Sequence, residues 1–144
     1  MSDVTVTSRA NLRNEVRYGD GARSFITDEP ASLGGDGAGA DPYTLLLAAL
    51  GSCISMTLTL YARRKGWPLE GVTVSLSQRR IHATDCAGCE TESGGFVHRI
   101  ERSVRVEGAL LSAEQHARLQ EIAHKCPVHK TLTSEIIIAD LNEE

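Results

Sequence analysis

The sequence predicts an α+β fold in the order β-β-β-α-β-β-α-α-β, built around one long apolar helix. Two observations support this fold class. Short runs that alternate apolar and polar residues occur on both sides of an uncharged stretch from Pro42 to Ala62, and glycine-containing turns separate many of these runs. The length of 144 residues suits one domain with its own core. We therefore expect a single domain over residues 1–144.

The N-terminal part of the chain predicts a small antiparallel meander. Val4 and Val6 alternate with polar residues, and Asn14–Tyr18 and Arg23–Thr27 are similar runs separated by a Gly-Asp-Gly turn. A polar, glycine-rich loop from Leu33 to Pro42 follows. Within it, Asp41 is suited to cap a helix and Pro42 to occupy its first position.

The stretch TLLLAALGSCISMTLTLYARRKG (Thr44–Gly66) predicts the long helix. It is long enough to cross a hydrocarbon core of about 30 Å. Its serines, threonines and glycine, and the lack of a second span to pack against, favour a core helix instead. A helix that is apolar on most sides must be buried on most sides, and a small chain can achieve that by dimerising. We expect an obligate dimer with close approach at small residues, namely Ala48, Ala49, Gly51 and Ser52.

The second half of the chain predicts a long hairpin followed by two helices and a last strand. The hairpin strands are marked by two alternating apolar sets, Val72, Val74 and Leu76, then Phe96, Ile100, Val104 and Val106. The next helix begins at a capping box formed by Ser112 and Gln115 and ends near Lys125. Pro127 begins a short helix, and Ile136–Ile138 predicts the final strand.

Charge and cysteine usage exclude some functions and indicate a compartment. A net charge of −4 and a pI near 5.7 provide no cationic field for nucleic acid or an anionic membrane. The four cysteines occur without an N-terminal apolar signal segment. This combination is typical of a reducing compartment, where thiols are kept for chemistry or metals. We expect a cytoplasmic protein.

Cys53 and Cys126 differ in their local surroundings. Cys53 lies in the middle of the uncharged helix, where a free cysteine is usually a small buried hydrophobe. Cys126, in KCPVHK, directly precedes Pro127 at a helix start, where backbone donors and the helix dipole favour a thiolate. His129 lies one helical turn beyond and is placed to tune that thiol. The alternative is that Cys126 only caps the helix. Spacing alone does not say that Cys53 and Cys126 meet.

A second cysteine pair, Cys86 and Cys89 in DCAGCE, lies at the predicted hairpin tip. Such a pair can bind zinc, cycle as a redox dithiol, or occupy an exposed turn without chemistry. Zinc would need two further ligands, for which His82 and His98 are candidates. The three alternatives remain open.

The segments DPYTLLLAALGSCISMTLTLYA and HKCPVHKTLTSEI resemble the two thiol motifs of the OsmC/Ohr family, the osmotically inducible and organic hydroperoxide resistance proteins. The resemblance continues through DEP, LGG, ARRKGWPLEGV and IHATDCAGCET, from about Arg23 to Ile138. It is greatest to OsmC-like members that carry a cysteine-bearing hairpin.

This resemblance implies an intertwined homodimer in which antiparallel sheets wrap long central helices. It implies that Cys53 is the peroxidatic cysteine, that Cys126 is the resolving cysteine, and that an external dithiol reduces their disulfide. No metal or organic cofactor is implied. A dry pocket lined by Leu46, Leu50, Met56 and the same residues of the second subunit would favour alkyl or lipid hydroperoxides over hydrogen peroxide.

The chain departs from the family pattern at one position. Characterised peroxidases of the family carry a glutamate, paired with an arginine that activates the thiolate; here Tyr43 occupies that place, with Thr44 beside it. Asp41 is the nearest acid, and the arginine candidates are Arg13, Arg17 and Arg23.

Two function classes follow from these patterns. The first is a cysteine peroxidase for organic hydroperoxides in stress defence, with activity that the missing glutamate would weaken. The second is a non-catalytic module that binds a hydrophobic ligand or senses oxidant or zinc. Retention of both motif cysteines favours the enzyme.

Overall fold

The computed structural model describes residues 3–86 and 95–141. Within these ranges, five strands and three α-helices follow the predicted order as far as the last helix. The chain divides into two compact units, Met1–Leu46 and Leu47–Glu144. Each unit is considered by itself below, and the expectation of a single domain stays a prediction.

The N-terminal unit contains the predicted meander. Strands β1 (Val4–Ser8), β2 (Asn14–Tyr18) and β3 (Arg23–Thr27) pair antiparallel in the order β1-β2-β3. The turn between β2 and β3 includes Asp20, whose φ is 57°. That left-handed conformation is one that aspartate tolerates better than most residues do, which explains the Gly-Asp-Gly sequence.

A buried aspartate organises the loop that follows β3. Asp28 is 2 % exposed, and its carboxylate accepts hydrogen bonds from the backbone N–H groups of Glu29 (2.8 Å), Asp36 (3.2 Å) and Ala38 (3.0 Å). The loop packs so closely that a Cβ on Gly39 would lie 2.1 Å from the Ile26 carbonyl oxygen. Glycine is therefore required there by contact with the backbone.

Helix α1 (Pro42–Lys65) begins as predicted, because the Asp41 carboxylate accepts a hydrogen bond from the Thr44 N–H at 3.0 Å. By length and composition it is the one helix in the described ranges that is apolar enough to cross a membrane. Core helices of soluble proteins meet the same criterion. In the C-terminal unit α1 packs one face into the core, with buried residues spaced at helical intervals, namely Leu50, Gly51, Ile54, Leu58 and Ala62.

The C-terminal unit also contains the predicted hairpin and the two later helices. Strands β4 (Gly71–His82) and β5 (Phe96–Glu107) pair antiparallel, with Val74 opposite Val104. Helix α2 (Ala113–Ile122) begins with the predicted capping box and is continued to Lys125 by a 3₁₀ turn (Ala123–Lys125). Helix α3 (Pro127–Leu132) begins at the expected proline. The core between these elements is centred on Ile54, Leu58 and Leu119.

The predicted last strand is wrong for the chain as the structure describes it. Ile136, Ile137 and Ile138 belong to no regular element and are 56 %, 83 % and 92 % exposed. A strand exists only when a neighbouring strand satisfies its backbone groups, and no strand pairs with this run among the described residues. The β-branched residues favour a strand, but the described part of the chain offers them no strand to pair with.

Candidate functional site: a buried thiol pair

Cys53 lies in the middle of α1, between the core residues Leu50 and Ile54. It is partly buried and packs against the core rather than facing solvent. The expectation of a small buried hydrophobe is therefore met only in part. Its sulfur accepts a hydrogen bond from the backbone N–H of Val128, at 3.5 Å.

Cys126 is fully buried and forms the N-cap of α3. Its sulfur accepts a hydrogen bond from the His129 N–H at 3.2 Å, as a side-chain N-cap does. Pro127 supplies the first helical residue, so no backbone donor is lost there.

The two cysteines meet, although 72 residues separate them in the sequence. Their side chains interact, since Cys53 influences the pKa of Cys126, and both are free thiols. The contact arises because the start of α3 packs against the middle of α1, which brings Val128 as well as Cys126 to Cys53. The result is a thiol pair inside the C-terminal unit.

The prediction that the helix start favours a Cys126 thiolate is wrong in its net effect. Burial is the largest influence and raises the pKa of Cys126, because a buried charge loses its hydration. The His129 N–H lowers that pKa, whereas the neighbouring Cys53 side chain raises it further. Cys126 consequently retains its proton at neutral pH, despite the helix start.

Beside the thiol pair lies a cluster of Arg102, His124 and His129. The Arg102 guanidinium donates to the Ala123 carbonyl oxygen at 3.0 Å and to Nδ1 of His124 at 2.8 Å. The rings of His124 and His129 meet edge to face with centroids 6.1 Å apart. We name this group the arginine–histidine cluster.

The contacts within the arginine–histidine cluster affect its two imidazoles differently. A guanidinium can only donate, so Nδ1 of His124 accepts and its proton lies on Nε2. Burial, together with the charges of Arg102 and His124, lowers the pKa of His129. His129 contacts the Cys126 sulfur through its backbone, and its ring lies near Arg102 and His124. The expected tuning of Cys126 by His129 is thus a backbone effect here.

Among the described residues, no group of three or more His, Cys, Asp or Glu side chains could hold a metal ion. Cys86 is disulfide-bonded, a form in which its sulfur is not a thiolate ligand, and Cys89 lies outside the described residues. His82 packs on Phe96 with ring centroids 4.8 Å apart, and Nδ1 of His98 is hydrogen-bonded to Gln78 at 2.9 Å.

The candidates for the activating acid and arginine lie in the N-terminal unit. Asp41 caps α1, and the hydrogen bonds from Thr44 lower its pKa. Arg13 pairs with Asp36 at 3.4 Å, and Arg17 pairs with Glu15 at 2.6 Å. Exposed positions are occupied by Tyr43, Thr44 and Arg23.

Sequence reasoning missed Arg102. The strand alternation that directs Val104 and Val106 towards the core places Arg102 on the same face, opposite Leu76 in the hairpin register. A cation at an apolar-face position of a strand was the signal that could have identified it.

Comparison with known proteins supports this fold. A family model described as "OsmC-like protein" matches residues 34–139. No curated protein matches the chain.

Solved structures of OsmC and Ohr proteins share the fold. An OsmC-like protein from Mycoplasma pneumoniae has a TM-score of 0.69 and 19 % identity, covering 92 % of this chain and 86 % of the other. The organic hydroperoxide resistance protein OsmC from Legionella pneumophila has a TM-score of 0.65 and 20 % identity, covering 92 % and 89 %. For the organic hydroperoxide resistance protein OhrB of Bacillus subtilis the TM-score is 0.60 and the identity 20 %, covering 92 % and 90 %. Since the family model spans well over half of the sequence, the chain belongs to the OsmC-like protein family.

Proposed function

We propose that this protein is a thiol-dependent peroxidase that reduces organic hydroperoxides through Cys53 and Cys126. The observation that carries the proposal is the contact between two free thiols that are remote in sequence. Similarity to proteins named for organic hydroperoxide resistance supports the choice of substrate class. The role is defence against oxidative stress in the cytoplasm.

The proposed cycle uses only the two cysteines, a hydroperoxide and a dithiol reductant. The Cys53 thiolate attacks the terminal oxygen of ROOH, an S–O bond forms and the O–O bond breaks. Cys53 becomes a sulfenic acid, and the alkoxide leaves as ROH after taking up the proton that the Cys53 thiol had released. The sulfur of Cys126 then attacks the sulfenic sulfur. An S–S bond forms, the S–O bond breaks, and hydroxide leaves with the Cys126 proton as water.

An external dithiol completes the cycle by two exchange steps, which return both thiols and oxidise the dithiol to its disulfide. Contact between Cys53 and Cys126 allows the disulfide to form without a large movement of the backbone. The protonated state of Cys126 suits a resolving role, because a thiol does not compete with Cys53 for peroxide.

The apolar surroundings of Cys53 support organic peroxides as substrates. Leu50 and Ile54 flank the cysteine on α1, and both belong to the core. Leu50 is only 4 % exposed and so contributes to the wall behind Cys53 rather than to an open pocket. Met56 lines a shallow cleft of about 390 Å³ between α1 and β4. Transfer of an alkyl group from water to such a surface lowers the free energy.

We further infer that the working form is a homodimer. Large apolar side chains remain exposed on α1, including Leu46, Met56 and Leu60 at 37 %, 65 % and 56 %. Surfaces of this kind usually mark interfaces. A second copy of α1 would bury them, as the apolar composition of that helix requires.

The test is steady-state turnover of cumene hydroperoxide and of hydrogen peroxide, with dihydrolipoamide as reductant. Wild type is expected to reduce the organic peroxide faster. Cys53→Ser is expected to lose turnover entirely, because no sulfenic acid can form. Cys126→Ser is expected to consume about one equivalent of peroxide per chain and then stop in dithiol-free buffer.

A matched control is Cys86→Ser, which alters a cysteine outside the pair and is expected to keep wild-type turnover. Absence of turnover above free dithiol, with Cys53 still reduced after peroxide treatment, would exclude the peroxidase. That result would favour the alternative function of a non-catalytic module, for which the exchange of the family glutamate for Tyr43 is the supporting observation.

A further inference from the structure

We propose that Arg102 is a positioning residue that holds Cys126 against Cys53 by clamping the 3₁₀ turn before it. As far as turnover is concerned, this inference rests on the proposed function. The juxtaposition of the two thiols, which Arg102 is inferred to maintain, can be measured without peroxide.

The clamp has two attachment points on consecutive residues. One guanidinium nitrogen of Arg102 donates to the Ala123 carbonyl, and another donates to the His124 ring, at 3.0 and 2.8 Å. Ala123 is 1 % exposed, so its carbonyl group at the end of α2 has little access to water. Arginine suits this position because its planar fork reaches two acceptors together and its charge favours a helix C-terminus.

The clamp is close to Cys126 along the chain. Lys125 alone lies between His124 and Cys126, and the turn Ala123–Lys125 leads directly into the N-cap of α3. Fixing Ala123 and His124 therefore fixes where Cys126 starts the next helix. Arg102 itself is held by the β4–β5 ladder, where it pairs opposite Leu76. The hairpin thus serves as a rigid support for the cysteine.

By fixing this turn, the clamp keeps the Cys126 thiol at a high effective concentration beside Cys53. Disulfide formation inside a protein depends on how well the two sulfur atoms are held in reach, and a small displacement can cost about a hundredfold in an oriented reaction. Without Arg102, the Ala123 carbonyl loses its side-chain donor and His124 loses its partner. We expect the turn to loosen and the Cys53–Cys126 disulfide to become less favourable.

The experiment measures the equilibrium of the Cys53–Cys126 pair in dithiothreitol redox buffer. Formation of the disulfide transfers two electrons and two protons to oxidised dithiothreitol, giving its dithiol. Alkylation followed by peptide mass spectrometry reports this pair separately from Cys86 and Cys89. No peroxide is involved, so an inactive peroxidase and a failed clamp give different results.

The variants are Arg102→Gln, Arg102→Lys and, as a matched control, Arg105→Gln. Arg105 lies on the same strand but on its opposite face, where it pairs with Glu107 at 3.3 Å in solvent. Arg102→Gln is expected to lower the equilibrium constant for the disulfide about tenfold or more. Arg102→Lys keeps a charge but not the fork, so a smaller loss is expected. Arg105→Gln is expected to match wild type.

Two variants of His124 separate positioning by the clamp from general destabilisation. His124→Asn keeps an acceptor for the Arg102 guanidinium, so its equilibrium constant is expected to stay near that of wild type. His124→Leu removes the acceptor and is expected to lower the constant. A wild-type constant in folded Arg102→Gln, an equal loss in Arg105→Gln, or equal constants in the two His124 variants would each overturn the proposal.

Discussion

Asp28 illustrates how one side chain can organise a whole loop. Its buried carboxylate accepts three backbone hydrogen bonds, from residues on both sides of a glycine-rich turn. These bonds lower the pKa of Asp28, the one from Ala38 having the largest effect, while burial opposes them. A carboxylate that accepts several N–H groups gives stability only while it is ionised.

We expect Asp28→Asn to destabilise the protein and to flatten the acid side of its stability profile. Because the folded-state pKa lies below the unfolded value, the contribution is present above the unfolded pKa and is lost as the pH falls through the folded pKa. Urea unfolding at several pH values from 3 to 7 measures this. Asp20→Asn, in an exposed turn, is the control; an equal effect there would contradict the assignment.

Cys126 shows that one residue can carry two opposing influences. The N–H at the helix start lowers the pKa of its thiol, and burial raises that pKa by more. The sequence KCPVHK contains the first influence, since the capping position and proline are local. It contains no sign of the second, because burial of Cys126 depends on α1, which lies far away in the chain.

At the scale of elements, helix α2 is defined by its first turn. Ser112 accepts from the Gln115 N–H at 3.1 Å, and the Gln115 side chain accepts from the Ser112 N–H at 2.9 Å. These two bonds satisfy donors that the helix leaves unpaired. The end of α2 leads to the turn clamped by Arg102, so the helix connects a local signal to the thiol pair.

We expect Ser112→Ala to lower the free energy of unfolding by about 1 kcal/mol, the usual cost of a lost N-cap. Gln115→Ala removes the reciprocal bond and is expected to cost less. Chemical denaturation of both variants and of the double variant forms a thermodynamic cycle. If the two effects simply add, the side chains are not coupled and the capping box contributes nothing as a unit.

At the scale of the whole molecule, the main feature that a single chain does not explain is its exposed apolar surface. The face of the β1–β3 sheet borders a hollow of about 1130 Å³ lined in part by Val4, Val6 and Phe25. In the C-terminal unit, the isoleucine run lies exposed and unpaired among the described residues. Apolar patches of this extent usually mark surfaces that another chain covers.

We expect light scattering to give a mass of about twice the 15.5 kDa of one chain. Ile137→Lys is expected to raise the dimer dissociation constant at least about tenfold, because burying an unpaired charge costs several kcal/mol. Ile137 is 83 % exposed in the single chain, and Leu110, in the turn before α2, is similarly exposed at 80 %. Leu110→Lys is therefore the control. A monomeric wild type, or equal weakening by both variants, would contradict this role for the run.

The sequence by itself determined the types and ends of the elements. The bounds of β2 and β3, the cap at Asp41, the capping box at Ser112 and the proline that starts α3 are each encoded within a few residues. Local hydrogen bonds and side-chain periodicity act over one or two turns, so they can be recognised without knowing the rest of the chain. The resemblance to the family motifs extended the prediction from single elements to the whole fold.

Only the tertiary structure decided the properties of the site. Residue spacing did not bring Cys53 to Cys126, and before the structure only the family resemblance implied the pair. The structure buried Cys126 so that its pKa rises and placed Arg102 on the turn before it. Among the described residues it also left the isoleucine run without a strand partner. Each of these depends on which distant surfaces pack together. Contact, burial and strand pairing are properties of two segments at once, and no local pattern in either segment specifies them.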